Sequence, residues 1–169
     1  IFATLSKIVS NRPDSKRNSV VCDTWDNALL QCQVKDHDGH SFPMIAKMYR
    51  IAPGETDTWY VEIKGTKACG SFSTKYPKTF ISMYYEPGGK QETRHEDLGY
   101  TSLYPTLTGS IFEFGFSDAI LQMWAAFVDE LSHGKPGKFI CATPEESVLT
   151  HKIFTAALTS QKERKAVYL

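Results

Sequence analysis

The sequence predicts an α+β fold in which an open, mainly antiparallel β-sheet carries helices packed on one face. Through about the first two thirds of the chain, apolar and polar residues alternate with the period of two that is typical of strands. Short sequences rich in Gly, Pro, Asn and Asp separate these segments, and such short connections favour antiparallel pairing. The last third instead places apolar residues at helical spacing, which predicts the helices.

The N-terminal part is predicted to contain strands over residues 1–9, 28–34 and 42–51. Residues 11–18 are polar and are predicted to form a loop. The turn sequence at residues 36–40 joins the second and third strands, so these two are expected to form a hairpin. One face of the second strand is apolar, with Ala28, Leu30, Cys32 and Val34.

Residues 59–73 contain a strand, a glycine-containing turn and a return strand. Trp59, Val61 and Ile63 alternate with polar neighbours until Gly65 breaks the pattern. Gly65 and Gly70 are expected to adopt backbone angles that other residues avoid, which predicts a compact hairpin corner. Further strands are predicted over residues 79–85 and 91–95, with a turn at 87–89.

Two helices are predicted in the C-terminal third. The first covers residues 117–131 with Ser117 as its N-cap, and its apolar positions are Ile120, Trp124, Phe127 and Leu131, flanked by Leu121 and Val128. The second begins at Thr143 with a capping box and with Pro144 at its first position. Residues 162–169 are predicted to return as a short edge strand.

Composition narrows the possible classes of protein. With 169 residues and 41% hydrophobic content, the chain can form one compact domain over residues 1–169. The 19 basic and 19 acidic residues cancel, so we expect no attraction to nucleic acid or anionic membranes. The apolar runs are too short to span a bilayer. The four cysteines lack Cys-x-x-Cys spacing, which indicates free thiols in a cytoplasmic protein.

Three segments in the same order resemble a known family. The corner at residues 59–73 resembles the strand, Gly-Thr-Lys-Gly, strand signature of the C-terminal domain of the glucose-fructose oxidoreductase and inositol dehydrogenase (Gfo/Idh/MocA) family, although Ala68 and Cys69 interrupt its spacing. Residues 111–127 resemble the long helix of that family. Residues 143–147, followed by 156–160, continue the resemblance over most of the chain.

This resemblance implies a substrate-binding and oligomerisation domain of a two-domain oxidoreductase that transfers hydride between NAD or NADP and a sugar, polyol or derivative. The family binds its cofactor on an N-terminal Rossmann domain through Gly-x-Gly-x-x-Gly, and it moves a proton with the Lys of a Glu-Lys-Pro motif and a later His. This sequence contains neither motif, and Gly134-Lys135-Pro136 does not match the second. No catalytic, cofactor-binding or metal-binding residue is therefore predicted here.

The resemblance also implies partners. We expect the chain to be inactive as an isolated fragment, to pair with a Rossmann domain that is absent from it, and to form a homo-oligomer through its sheet. It begins at Ile1 rather than Met, so we expect that it was processed or cut from a longer protein.

Four residues are predicted to face the substrate because of their side-chain chemistry and their positions in loops or at strand ends. A histidine exchanges protons near neutral pH, a tyrosine hydroxyl binds hydroxylated ligands, and a tryptophan or arginine stacks on or pairs with them. The four residues are Arg50, Trp59, His95 and Tyr100.

Two other patterns have ordinary structural explanations. Gly65–Ser71 has glycines spaced as in a phosphate-binding loop, but no Lys follows Gly70. The acidic residues and histidines at 36–40 could be drawn as metal ligands, yet they form a common turn sequence. Two other functions remain open: a stand-alone sugar- or protein-binding module, and a small hydrolase or isomerase that uses His95 with Glu96 or Asp97.

Overall fold

The computed structural model describes residues 1–99, 102–109 and 111–169, and the chain divides into two compact units. Unit 1 contains residues 1–53 and 142–169, and unit 2 contains residues 54–141. All strand pairs described are antiparallel, and the predicted α+β class is confirmed. The elements are β1 (Phe2–Ser6), β2 (Asn11–Pro13), β3 (Ser19–Val21), β4 (Asn27–Lys35), β5 (Ser41–Tyr49), β6 (Tyr60–Lys64), β7 (Ala68–Ser73), β8 (Thr79–Tyr84), β9 (Thr93–Asp97), α1 (Phe116–His133) and α2 (Pro144–Glu163).

Unit 1 is built on a three-stranded sheet in the order β1-β4-β5. The predicted alternation in β4 is confirmed, because Leu30 and Cys32 are buried while Gln31 and Gln33 are exposed. Helix α2 covers the Leu30 face of this sheet through Ala157, and partly buried residues extend the core. These surrounding residues are Ile1, Leu5, Ala28, Val34, Ala46 and Ile153. Alternation along the strand therefore selects the face on which the helix packs.

Helix α2 begins with the capping box that its sequence predicts. The Thr143 hydroxyl accepts a hydrogen bond from the Glu146 amide at 3.2 Å, and the Glu146 carboxylate accepts one from the Thr143 amide at 2.8 Å. Farther along, the buried Ser160 hydroxyl accepts from the Ala3 amide at 3.0 Å and donates to the Lys165 carbonyl at 2.7 Å. The helix is thus held at its start by a cap and near its end by the first strand.

Replacing Thr143 with alanine is expected to destabilise unit 1 by about 1 kcal/mol, because the first turn of α2 would lose a side-chain acceptor for its free amides. Thr150→Ala is the matched control, since the Thr150 hydroxyl only donates to the Glu146 carbonyl inside the helix, at 2.9 Å. Urea denaturation followed by circular dichroism measures both variants. Equal losses in the two would show that the cap is not the cause.

The segment between β1 and β4 differs from its prediction. Residues 11–18 were predicted to be a loop, but Asn11–Pro13 pairs with Ser19–Val21 as a small hairpin. The Asp14 carboxylate organises its turn by accepting from the amides of Lys16 and Asn18, both at 2.8 Å. The observed first strand, β1, is also shorter than the predicted residues 1–9. A local side-chain acceptor, rather than an apolar pattern, defines this hairpin.

The chain end was predicted to be an edge strand over residues 162–169, but α2 continues to Glu163 and the residues after it are not assigned as a strand. Val167 nevertheless exchanges two backbone hydrogen bonds with Ile1, at 2.7 and 2.8 Å. The prediction of a strand is therefore wrong, while one ladder-like pair is present.

Unit 2 contains a four-stranded sheet in the order β6-β7-β8-β9. The hairpin predicted at Gly65 is present, and the Gly65 amide donates to the Ala68 carbonyl at 2.8 Å. Its glycines do not have the predicted role, because neither Gly65 nor Gly70 has a positive φ. At Gly70, a Cβ atom would lie 2.9 Å from the Phe80 ring. Gly70 leaves space for that ring rather than supplying an unusual backbone angle.

The N-cap of helix α1 is Gly115, two residues before the predicted Ser117. The Asp118 carboxylate accepts from the Gly115 amide at 2.9 Å, and Gly134 ends the helix in the left-handed conformation. Within the described residues, neither helix is long and apolar enough to cross a membrane.

Candidate functional site

The four-stranded sheet of unit 2 has two chemically different faces. Residues paired across antiparallel strands point to the same face, and neighbours along a strand point to opposite faces. One face, called the polar face, carries Tyr60, Glu62, Lys64, Cys69, Ser71, Ser73, Thr79, Ile81, Met83, Thr93, His95 and Asp97. The other, called the apolar face, carries Val61, Ile63, Ala68, Gly70, Phe72, Phe80, Ser82, Tyr84, Arg94 and Glu96.

His95 lies in β9 on the polar face and is exposed. The strand register places it beside Ile81, which pairs with Ser71, which in turn pairs with Glu62. A row of an imidazole, an alkyl group, a hydroxyl and a carboxylate therefore crosses the sheet. These groups can donate and accept hydrogen bonds to a polyhydroxylated ligand lying over the polar face.

Trp59 precedes β6, where its amide donates to the Thr74 hydroxyl at 2.9 Å. Its side chain, 70% exposed, has the same parity as Val61 and therefore belongs to the apolar face. β6 and β9 are the two edges of the sheet, so about 14 Å separates them laterally at ~4.8 Å per strand. The structure does not bring Trp59 and His95 together.

The other two predicted residues are Arg50 and Tyr100. Arg50 follows β5 in unit 1, where it is exposed and its amide donates to the Asp26 carbonyl at 2.8 Å. Tyr100 lies outside the described residues. The assignment of Arg50, Trp59, His95 and Tyr100 to a substrate therefore remains a prediction.

The turn between β4 and β5 brings potential metal ligands near one another. Ligand atoms of Asp36, Asp38 and His40 lie within 4.8 Å, and all three residues are exposed. The Asp36 carboxylate accepts from the amides of Asp38 and His40 at 2.9 and 2.8 Å. Gly39 completes the turn with a φ of 85°. The hydrogen bonds of the hairpin turn account for this grouping.

A buried carboxylate in unit 1 forms a cluster that the sequence did not reveal. Asp26 is 3% exposed, and its carboxylate accepts from the amides of Ile8 and Val9 at 2.7 and 2.8 Å and from the Arg12 guanidinium at 2.5 Å. The two amides, followed by Arg12, hold the pKa of Asp26 below its usual value. The Asp26 carboxylate therefore binds the amides that follow β1 and, through Arg12, connects this segment to the β2–β3 hairpin.

Cys22 borders this cluster. Its sulfur lies 3.2 Å from the Thr24 hydroxyl and accepts from the Arg12 guanidinium at 3.3 Å. The contact with Thr24, followed by that with Arg12, lowers the pKa of the Cys22 thiol. Arg12 therefore stabilises two anionic groups, the Asp26 carboxylate and the thiolate form of Cys22.

Unit 2 contains a second polar cluster, on the inward side of α1. The Gln122 side chain exchanges two hydrogen bonds with the backbone of Tyr104, at 2.8 and 2.9 Å. The Tyr104 hydroxyl donates to Asp129 at 2.7 Å and accepts from the Lys138 amide at 3.2 Å. The Lys138 amide lowers the pKa of Tyr104, but burial and the bond to Asp129 outweigh it and raise the pKa overall.

Both clusters were missed because their partners are far apart in sequence. Gln122 and Asp129 lie 18 and 25 residues from Tyr104, and Asp26 lies 14 to 18 residues from its partners. No local spacing signals such contacts. In the sequence alone, nothing distinguishes Asp26 and Asp129 from ordinary surface residues.

Comparison with known proteins identifies structures that share this fold. No protein-family model matches the chain, and no curated protein sequence matches it. Solved structures do match. An oxidoreductase from Sinorhizobium meliloti has a TM-score of 0.76 at 16% identity, over 98% of this chain and 45% of that chain. An oxidoreductase domain protein from Kribbella flavida has a TM-score of 0.74 at 16% identity, over 97% and 42%.

Levoglucosan dehydrogenase in complex with NADH also matches, with a TM-score of 0.74 at 16% identity over 96% of this chain and 42% of that chain. The chain has the fold of part of these oxidoreductases. The resemblance predicted from residues 59–73, 111–127 and 143–160 is thus confirmed as a resemblance of fold. The chain spans less than half the length of the structures that it matches.

Proposed function

We propose that the chain is the substrate-binding and oligomerisation domain of an NAD(P)-dependent oxidoreductase that acts on a sugar, polyol or derivative. The observation that carries this proposal is the match of almost the whole chain to less than half of each oxidoreductase. One of the similar proteins is a levoglucosan dehydrogenase whose structure was solved with NADH and levoglucosan. A Rossmann domain outside this chain would bind the cofactor, and the isolated chain would not catalyse.

The polar face of unit 2 is the proposed substrate side. His95, Ser71 and Glu62 offer hydrogen-bonding groups in one row across the sheet, as a sugar or polyol requires. Binding there would orient the reacting carbon, while proton transfer would fall to residues of the cofactor domain. The chain itself would contribute position and specificity.

The apolar face is the proposed side for subunit contacts. Val61 and Ile63 are 51% and 68% exposed, and Trp59 lies beside them. Exposed apolar side chains on a sheet commonly mark an interaction surface. Under this proposal the two faces of the same sheet would have two roles, and Trp59 would belong to the subunit contact instead of its predicted place beside the substrate.

The reading frame upstream of the Ile1 codon tests the proposal directly. We expect it to encode a strand followed by Gly-x-Gly-x-x-Gly and, later, a Glu-Lys-Pro motif. A stop codon or an unrelated domain there would overturn the oxidoreductase proposal in favour of a stand-alone binding module. Calorimetry provides a second test, because micromolar binding of NADH or NADPH to this chain alone would contradict the placement of the cofactor site.

In the enzyme encoded by the full reading frame, His95→Gln is expected to raise the substrate KM about tenfold, since the amide cannot place its donor and acceptor where the two imidazole nitrogens lie. The matched control is His37→Gln, because the His37 side chain is 91% exposed in the β4–β5 turn. Steady-state kinetics of both variants are compared. If KM changes equally in the two, or in neither, the polar face is not the substrate side.

A further inference from the structure

Helix α1 packs with its polar side inward. Its buried residues are Gln122 and Ala126, and Asp118 and Asp129 lie on the same side. Gln122 and Asp129 are bonded to Tyr104, so these contacts fix the rotation of the helix about its axis. At 100° per residue, the opposite side of the helix carries its large apolar side chains.

This opposite side is called the α1 apolar stripe. Its members are 38% to 73% exposed, and none is charged. They are Phe116, Ile120, Leu121, Met123, Trp124, Phe127, Val128 and Leu131. The helical spacing of these residues therefore predicted the helix correctly, but the described residues of unit 2 leave its apolar side exposed.

The exposed area of the α1 apolar stripe is as large as one side of a typical protein–protein interface. Taking about 150–250 Å² for one large side chain, the exposed fractions amount to roughly 800 Å² per copy. This exceeds the largest apolar patch of a typical monomer, about 300–600 Å², and it matches the roughly 800 Å² that each partner contributes to a stable complex.

The order of side chains along the stripe is palindromic. Its centre line reads Ile120, Trp124, Phe127, Leu131, with spacings of four, three and four residues. Two aromatic residues lie in the middle and one aliphatic residue lies at each end, while Met123 and Val128 flank the aromatic pair symmetrically. A two-fold axis between Trp124 and Phe127 would place like-sized groups opposite one another.

We propose that the α1 apolar stripe is covered by the same helix of a second copy of this chain, packed antiparallel about a two-fold axis. In such an isologous contact, Trp124 of one copy packs on Phe127 of the other, and Ile120 packs on Leu131. The 4-3-4 spacing is that of a helix seam that packs knobs into holes. No like charges meet, because the stripe carries none. This contact is separate from the subunit contact proposed for the sheet, and it does not depend on the oxidoreductase proposal.

Sedimentation equilibrium of the full 169-residue chain tests the contact. The double variant Trp124→Lys, Phe127→Lys is expected to have half the mass of the wild type, because like charges would face one another across the axis. The double variant Trp124→Glu, Phe127→Glu is expected to behave the same way. An equimolar mixture of the two variants is expected to regain the wild-type mass as a heterodimer, which only pairing of two copies produces.

Ile63→Lys is the matched control, since Ile63 is also exposed at 68% but lies on the sheet. It is expected to leave the α1 contact intact, so its effect on the mass should add to that of the helix variants. Circular dichroism and thermal unfolding establish that every variant is folded. A monomeric wild type, an unchanged mass in both double variants, or no recovery on mixing would each overturn the proposal and indicate that another chain covers the stripe.

Discussion

Replacing Leu30 with alanine is expected to destabilise unit 1 by about 2–5 kcal/mol, the range for removing a large aliphatic side chain from a packed core. Leu30 is 2% exposed and lies at the centre of the sheet, paired with Ala3 on one side and with Ala46 on the other. Helix α2 covers it through Ala157. Its partners in the sheet, Ala3 and Ala46, and Ala157 of α2 are too short to fill the cavity, so relaxation would recover only part of the loss.

Ile45→Ala is the matched control for this variant, because Ile45 lies in the same sheet but is 63% exposed. It should cost less than about 1 kcal/mol, since little apolar surface is lost and mainly the strand propensity changes. Urea denaturation at constant pH measures both losses, and amide exchange in β4 shows whether the effect is local. Similar losses in the two variants would contradict the packing of α2 on the Leu30 face.

Replacing Asp26 with asparagine is expected to lower stability at pH 7 and to remove part of its dependence on pH. The carboxylate accepts from the amides of Ile8 and Val9 and from Arg12, and an amide group would leave the guanidinium without its negative partner. Because these donors lower the pKa of Asp26 in the folded state, its stabilisation is complete above the unfolded pKa of about 4. It is lost as the pH falls through the folded pKa.

Urea denaturation between pH 3 and pH 7, a range of about 4 units around the unfolded pKa, measures this effect. Wild-type stability should fall on acidification, and the difference between the wild type and Asp26→Asn should shrink as it does. Asp23→Asn is the control, because Asp23 is exposed three residues earlier. A difference between wild type and Asp26→Asn that stays constant down to the lowest pH would show that the carboxylate charge is not what matters.

Much of the fold is predictable from local pattern. The period of two in residues 28–34 gives both the strand β4 and its buried face, and Thr143, Pro144 and Glu146 give the start of α2. These predictions succeed because the determining interactions lie within a few residues of one another. The β2–β3 hairpin was not predicted, because its strands have only three residues each and show no apolar alternation.

The candidate site is less predictable because it depends on register. Whether His95 shares a face with Glu62 or with Trp59 is decided by the pairing of β9 with β8, and a shift of one residue would reverse the answer. Likewise, the spacing of Ile120, Trp124 and Phe127 predicts an apolar side of α1, but not which side of the helix packs inward in unit 2. Gln122 and Tyr104 decide that through contacts between distant residues.

The split of unit 1 between residues 1–53 and 142–169 has a consequence for synthesis on the ribosome. The core around Leu30 needs Ala157, and the Ala3 amide needs the Ser160 hydroxyl, which lies 157 residues later. The apolar face of the β4–β5 hairpin therefore stays exposed on the nascent chain until α2 has been synthesised. Unit 2, in contrast, is synthesised as one continuous segment. The core of unit 1 is therefore open to aggregation in the nascent chain until α2 docks on the sheet.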